Sequence, residues 1–149
     1  MSLLDDLART RDETLGYFAL DDAALALRYA PGKWTNRELL LHLADAEGVL
    51  FERVRRVVGE GRRVLWAFDQ DGWARATPYD RYPLALARDL YAATRAAALW
   101  FAGEHYQADG GLEFVHSETG VRTLAQELEK IAAHNEHHLV QLRSTLAAR

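Results

Sequence analysis

Apolar positions recur every three or four residues along long stretches of this chain, the period of helices that bury one face. The first stretch covers about residues 2 to 19, with Leu3, Leu4, Leu7, Thr14, Leu15 and Phe18 on its apolar side. Asp21, Asp22 and Pro31-Gly32 end it. The second covers about residues 35 to 58 and opens at Thr35-Asn36-Arg37-Glu38, a capping threonine followed three residues later by glutamate. Leu39, Leu43, Ala46 and Leu50 form its stripe. The third covers about residues 83 to 104, from a proline tolerated in the first turn, with Leu86, Leu90, Ala93, Ala97 and Trp100 read as its packing face. Gly103 and Asp109-Gly110-Gly111 mark its end. The fourth covers about residues 121 to 147 and carries Leu124, Leu128, Ile131, Leu142 and Leu146, with Thr123 as an alternative cap.

Four such helices in 149 residues predict one all-α domain spanning residues 1–149, a four-helix bundle whose two longer connections lie at its ends. The connection over about residues 59 to 81 holds Trp66, Phe68, Trp73 and Tyr79, with Tyr82 at its edge, so it is expected to pack down on the bundle. Leu112-Glu113-Phe114-Val115-His116 alternates and reads as a short extended piece.

Composition narrows the chemistry. A net charge of -4 argues against nucleic acid as a partner. No segment has the makings of a signal peptide or the roughly 20 apolar residues that cross a bilayer, so a cytoplasmic protein with no membrane partner is expected. There is no cysteine, which leaves histidine and carboxylate as the metal ligands to consider among six histidines.

The fourth helix reads His134-Asn135-Glu136-His137-His138. Residues four apart share a helix face, so His134 and His138 can point at one ion, and they continue the core row of Ile131 and Leu142. Burying two unpartnered imidazoles is costly, and a divalent cation resolves the conflict. His42 lies on the seam of Leu39, Ala46 and Val49 in the second helix and supplies a third nitrogen. Three histidines leave a coordination position open, the pattern of a catalytic metal. The bland alternative makes His42 a hydrogen-bonded core residue and the other cluster a partly solvated surface. His137 is assigned to the surface, and His105 and His116 to ordinary polar roles. Glu38 is explained by the helix cap. Asp45 is read as a solvated carboxylate, with orientation of a ligand imidazole or action as a base as the alternatives. Glu136 and Gln141 are treated in the same way. Asp69 and Asp71, between Phe68 and Trp73, lie in a segment able to roof one end of the bundle.

The run Gly32-Lys33-Trp34-Thr35-Asn36-Arg37-Glu38-Leu39-Leu40-Leu41-His42-Leu43-Ala44-Asp45-Ala46-Glu47, taken with His134, His138, Gln141 and Leu142, closely resembles the DinB/YfiT-like proteins. The resemblance implies an up-down four-helix bundle carrying a divalent metal, zinc or nickel, on His42, His134 and His138. It also implies a class of thiol-dependent S-transferases, often dimeric, as one set of relatives. The leading expectation is therefore a metal-dependent enzyme that transfers a low-molecular-weight thiol, brought in as cosubstrate, to a small electrophile. A hydrolase in which the metal activates water is the second, and a non-catalytic, dimerising metal-binding protein the third. The alanines of the third helix allow close approach, either to a second copy of the chain or within the bundle.

Overall fold

The computed structural model describes residues 2–61 and 63–148. Its long helices are α1 (Leu3–Tyr17), α3 (Asn36–Glu60), α5 (Leu84–His105) and α6 (Leu124–Ala147). Two short helices, α2 (Asp22–Leu25) and α4 (Gln70–Ala76), lie in the connections. Side-chain caps set three of the long starts. Ser2 with Asp5, Thr35 with Glu38 and Thr123 with Gln126 each form a reciprocal capping box, which satisfies backbone N–H groups that a first turn leaves unpaired. Thr123 is thus the cap of the fourth helix, and the helical start expected near Val121 is instead strand. Gly103 lies inside α5 rather than at its end.

The predicted extended piece is present as β2 (Glu113–His116), so the domain is mostly helical but not strictly all-α. It forms a hairpin with β3 (Gly120–Thr123), in which Glu113 faces Thr123 and His116 faces Gly120. Gly120 takes a φ of 77° there, which glycine tolerates without strain. On the other side β2 pairs in parallel with β1 (Val64–Leu65).

Two apolar clusters fill the bundle. One joins Leu7, Leu50, Val54, Val57, Ala98, Ala102, Leu124, Leu128 and Ile131 with Phe114 of the sheet. The other joins Phe18, Leu39, Leu40, Ala44, Ala87, Tyr91, Leu139 and Leu142. The first therefore collects the start of α1, the end of α3, the end of α5 and the start of α6, and the second collects the opposite ends. So α1 and α6 run one way and α3 and α5 the other. Each of α1 and α3 packs on both α5 and α6, which places α1 diagonally across from α3. This up-down-down-up order corrects the expected up-down one. It also corrects the placing of one of the two long connections: the one after α3 does not lie at an end of the bundle, whereas residues 106–123 join the neighbouring ends of α5 and α6. Because α3 and α5 are parallel neighbours, the chain after Glu60 must travel back along a helix about 37 Å long before Leu84. Residues 63–83, with β1 and α4, make that return along the flank. No helix among the described residues is long and apolar enough to cross a membrane.

The third helix buries a different face from the one expected. Leu86, Leu90 and Trp100 are 53%, 44% and 66% exposed, whereas Ala87, Tyr91, Arg95, Ala98 and Ala102 point inward.

A candidate metal centre of three histidines

The core row of α3 carries His42 inward, and the antiparallel α6 brings His134 and His138 opposite it. One ring nitrogen from each histidine lies within 4.8 Å of the other two, and no carboxylate among the described residues joins the group. His42 Nε2 and His134 Nε2 are 3.2 Å apart. Two nitrogens bound at about 2.05 Å to a tetrahedral ion would be separated by about 3.3 Å, so this pair already has the spacing of two ligands. His42 is fully buried, and its Nδ1 finds no hydrogen-bond partner among the described residues. Burial first, and then the neighbouring His134 and His138, push the His42 imidazole down to about 2. Burial likewise takes His134 down to about 3, with help from His138, and lowers His138. All three rings are accordingly neutral near pH 7, the form that ligates a cation. The donor set of three imidazoles suits a borderline ion such as zinc or nickel.

Neighbouring side chains fix the rings. Gln141 Oε1 lies 2.7 Å from His138 Nδ1 and accepts its proton, which leaves Nε2 as the free lone pair. The indole of Trp34 packs at a tilt against His42 with ring centres 4.8 Å apart, and the Phe68 ring lies nearly parallel to the same imidazole at 6.1 Å and 12°. Trp73 in turn packs edge-on against Phe68. The aromatic connection thus packs down on the bundle as expected, but through Phe68 it covers the flank of the site rather than roofing an end, and Trp66 remains 77% exposed.

Cavities open on both sides of the triad. One of about 330 Å³ reaches His138 and is bordered by Trp34, Lys33, Asp71 and Gln70. The other, about 170 Å³, reaches His134 and is bordered by Phe68, Arg53, Lys130, His116 and again Gln70.

The remaining candidates fall elsewhere. Asp45 accepts a hydrogen bond from the Tyr79 hydroxyl and is half-buried, and that burial raises its pKa; among the described residues it makes no hydrogen bond to a site imidazole. Glu38 caps α3, and Asp69 caps α4 by accepting from the Gly72 N–H at 2.8 Å. Glu136 pairs with Arg9 and Arg143 at 2.9 and 2.6 Å. His137 is exposed, and His105 pairs with Asp109 at 2.6 Å. His116 is buried, with its Nδ1 accepting from the Glu118 N–H. Gln70, Lys130 and Arg53 were not singled out in the sequence. Lys130 could have been, because it precedes His134 by the same four residues that separate His134 from His138.

Bundle topology and site together define a four-helix protein with a three-histidine centre suited to a divalent cation. The sequence profile of the DinB superfamily matches residues 6–142, and the chain belongs to that superfamily. Two Oceanobacillus iheyensis proteins, both named "Putative metal-dependent hydrolase", are similar to it. One is 28% identical over 131 residues, 87% of this chain and 74% of the relative. The other is 26% identical over 141 residues, 95% of this chain and 80% of the relative. Among solved structures, YfiT from Bacillus subtilis superposes with a TM-score of 0.86 at 18% identity, over 96% of this chain and 83% of that one. That protein is described as a probable metal-dependent hydrolase with an unusual four-helix bundle topology, and the likeness establishes the fold.

Proposed function

We propose that the chain is a divalent-metal-dependent hydrolase of small molecules, with zinc or nickel held by His42, His134 and His138. The observation that carries the reading is the convergence of three neutral imidazole nitrogens, without a carboxylate, between two cavities. A cation held by three nitrogens keeps a position open and supplies Lewis-acid activation of a water or a thiol there. This chain's own residues do the rest. Gln141 holds the proton on His138 Nδ1, and Trp34 and Phe68 pack against the fully buried His42 ring. The names of the relatives support hydrolysis.

Thiol transfer is the second reading, favoured by the two separate cavities, since a transferase must admit a low-molecular-weight thiol and an electrophile together. With no cysteine in the chain, the thiol would have to arrive as cosubstrate. The homodimer expected from the sequence belongs to the same proposal. Leu86, Leu90 and Trp100 stand outward on α5, and sedimentation velocity would read two chains per particle if they pair and one if they do not.

Elemental analysis of protein purified without added metal should find about one divalent ion per chain, with none in His42→Ala or His138→Ala. Loaded protein is then offered aryl esters and, separately, monochlorobimane with a panel of cellular thiols. Ester turnover that disappears in both variants supports the hydrolase, and bimane consumption with one thiol supports the transferase. Full metal loading without turnover of either substrate class supports a non-catalytic metal protein. A metal-free, fully folded wild type refutes all three.

A further inference from the structure

The cavity on the His134 side has a wall that the three-histidine centre does not explain. Arg53 on that wall is 4% exposed, yet its partners do not use it up. One terminal nitrogen donates to Glu127 Oε1 at 3.1 Å and the other to the Trp66 carbonyl at 2.7 Å, while Nε is buried with no acceptor among the described residues. Lys130 is half-buried beside it and makes no hydrogen bond or ion pair within 4 Å among the described residues, although Glu127 and Glu118 act on it at longer range. Burial lowers the pKa of its ammonium, and so do Arg53 and Arg122. Both features mark a spot where positive charge is in excess. Arg53, Arg122 and Lys130 stand against Glu127 and the exposed Glu118, which leaves one positive charge over with His116 and His134 neutral. Folding has buried a guanidinium N–H without an acceptor among the described residues and half-buried an ammonium that no carboxylate touches, at a cost that an anion would offset.

We propose that this cavity seats a carboxylate of the substrate, held by Lys130 against the Arg53 wall, with the rest of the molecule reaching past His134 to the three-histidine centre. A volume of about 170 Å³ admits a short acyl chain, and one surplus positive charge matches a monoanion. On α6 the row Lys130, His134, His138 then reads in order as carboxylate anchor, ligand and ligand, one helical turn apart. The inference rests on reading the centre as catalytic, but the anchor itself binds without the metal, so the two can fail separately.

The test follows backbone amide shifts in 1H–15N spectra of the full chain, as purified and after metal removal by a chelator, during titration with butyrate or neutral butyramide. Butyrate should move the amides of Ala67, Gln70 and Glu118 in both preparations, and butyramide should not. Lys130→Gln should weaken butyrate at least about tenfold, the worth of one charge-assisted hydrogen bond. Lys130→Arg should restore it to within about threefold, and Lys33→Gln, in the other cavity, should leave it unchanged. Butyrate binding that disappears with the metal and ignores Lys130→Gln would place the anion on the ion and overturn the anchor. Absence of binding to wild type, or equal binding of butyramide, overturns it as well. A chain that carries no metal yet binds butyrate through Lys130 keeps the anchor and removes the catalytic reading.

Discussion

Two buried polar clusters meet on α6, and they are built on opposite terms. Asn135 belongs to one and His134, the residue before it, to the other. In the first, Arg95 is fully buried and each of its N–H groups finds an acceptor. Nε and one terminal nitrogen grip Glu47 at 2.6 and 2.7 Å, and the others reach the Leu7 carbonyl, Thr10 and Asn135 at 3.1, 2.8 and 2.7 Å. Asn135 passes the chain on to Thr14 at 2.9 Å and accepts from the Tyr91 hydroxyl. All four long helices contribute, so the cluster ties the bundle together. The three histidines instead turn one ring nitrogen each toward a common point, with His42 Nε2 only 3.2 Å from His134 Nε2, and His42 Nδ1 has no partner among the described residues. Burial of polar groups is common to both. What separates a structural cluster from a binding site is whether the protein satisfies its own groups or leaves a set of lone pairs aimed at one point.

The comparison breaks most severely at Arg95. Arg95→Met leaves Glu47 buried and unpaired, and should cost about 3–5 kcal/mol in urea unfolding of the metal-free protein. Arg95→Met with Glu47→Leu should recover much of that, since two apolar side chains replace the pair without stranding a charge. If the single variant costs less than about 1 kcal/mol, the cluster does not hold the helices as its geometry indicates.

The same two clusters show what the sequence makes legible. On α6 the inward row of Leu124, Leu128, Ile131 and Leu142 is strongly apolar, so periodicity identifies it and carries His134 and His138 along. On α5 two stripes share the helical spacing. Leu86, Leu90 and Trp100 are the more hydrophobic, but they face outward, because the inward stripe is made of alanines, Tyr91 and Arg95. A buried arginine looks like a surface residue until its partner is known, and Glu47 lies 48 residues away. Helix direction was equally hidden. Spacing within a helix says nothing of which end its neighbour presents, and only the parallel pairing of α3 with α5 explains why the 63–83 segment is so long. The histidine pair of α6 could be read because four-residue spacing is local, and His42 because it sits on the apolar seam of its own helix; Lys130 shares the spacing of that pair, but Arg53 has no such mark and its place beside Lys130 depends on how α3 and α6 pack.

A second contrast concerns pH. His42 and His134 have pKa values lowered to about 2 and about 3, while the same groups in the unfolded chain titrate near 6.5. Below about pH 6.5 the unfolded state therefore takes up protons that the folded state refuses. Stability is complete above that pH and declines as pH falls toward the folded values. Each histidine should contribute up to about 1.4 kcal/mol per pH unit in the metal-free protein. The Arg95 cluster adds nothing through its guanidinium, which keeps its charge throughout. Urea midpoints at about pH 7.5 and 5.5 measure the slope, and His42→Gln with His134→Gln should flatten it. Equal midpoints in the wild type would mean that the imidazoles are not held neutral.

Gln141 offers the finest cut between the clusters, because it acts on the site while contributing little to the bundle. Its Oε1 holds the His138 Nδ1–H at 2.7 Å, and its Nε2 meets only the exposed His137, at 3.3 Å. Gln141→Ala frees the His138 ring to rotate or to change tautomer. Competition with a chromophoric chelator should show metal affinity falling about 10–100-fold. Metal-free stability should fall by no more than about 1 kcal/mol, the worth of the one hydrogen bond that His138 loses. Gln141→Glu should retain or raise affinity, because a carboxylate accepts the same proton and makes the ring a stronger donor. If Gln141→Ala instead lowers metal-free stability as Arg95→Met does and leaves metal affinity intact, then Gln141 belongs to the scaffold, and His138 is oriented by the packing of α6 alone.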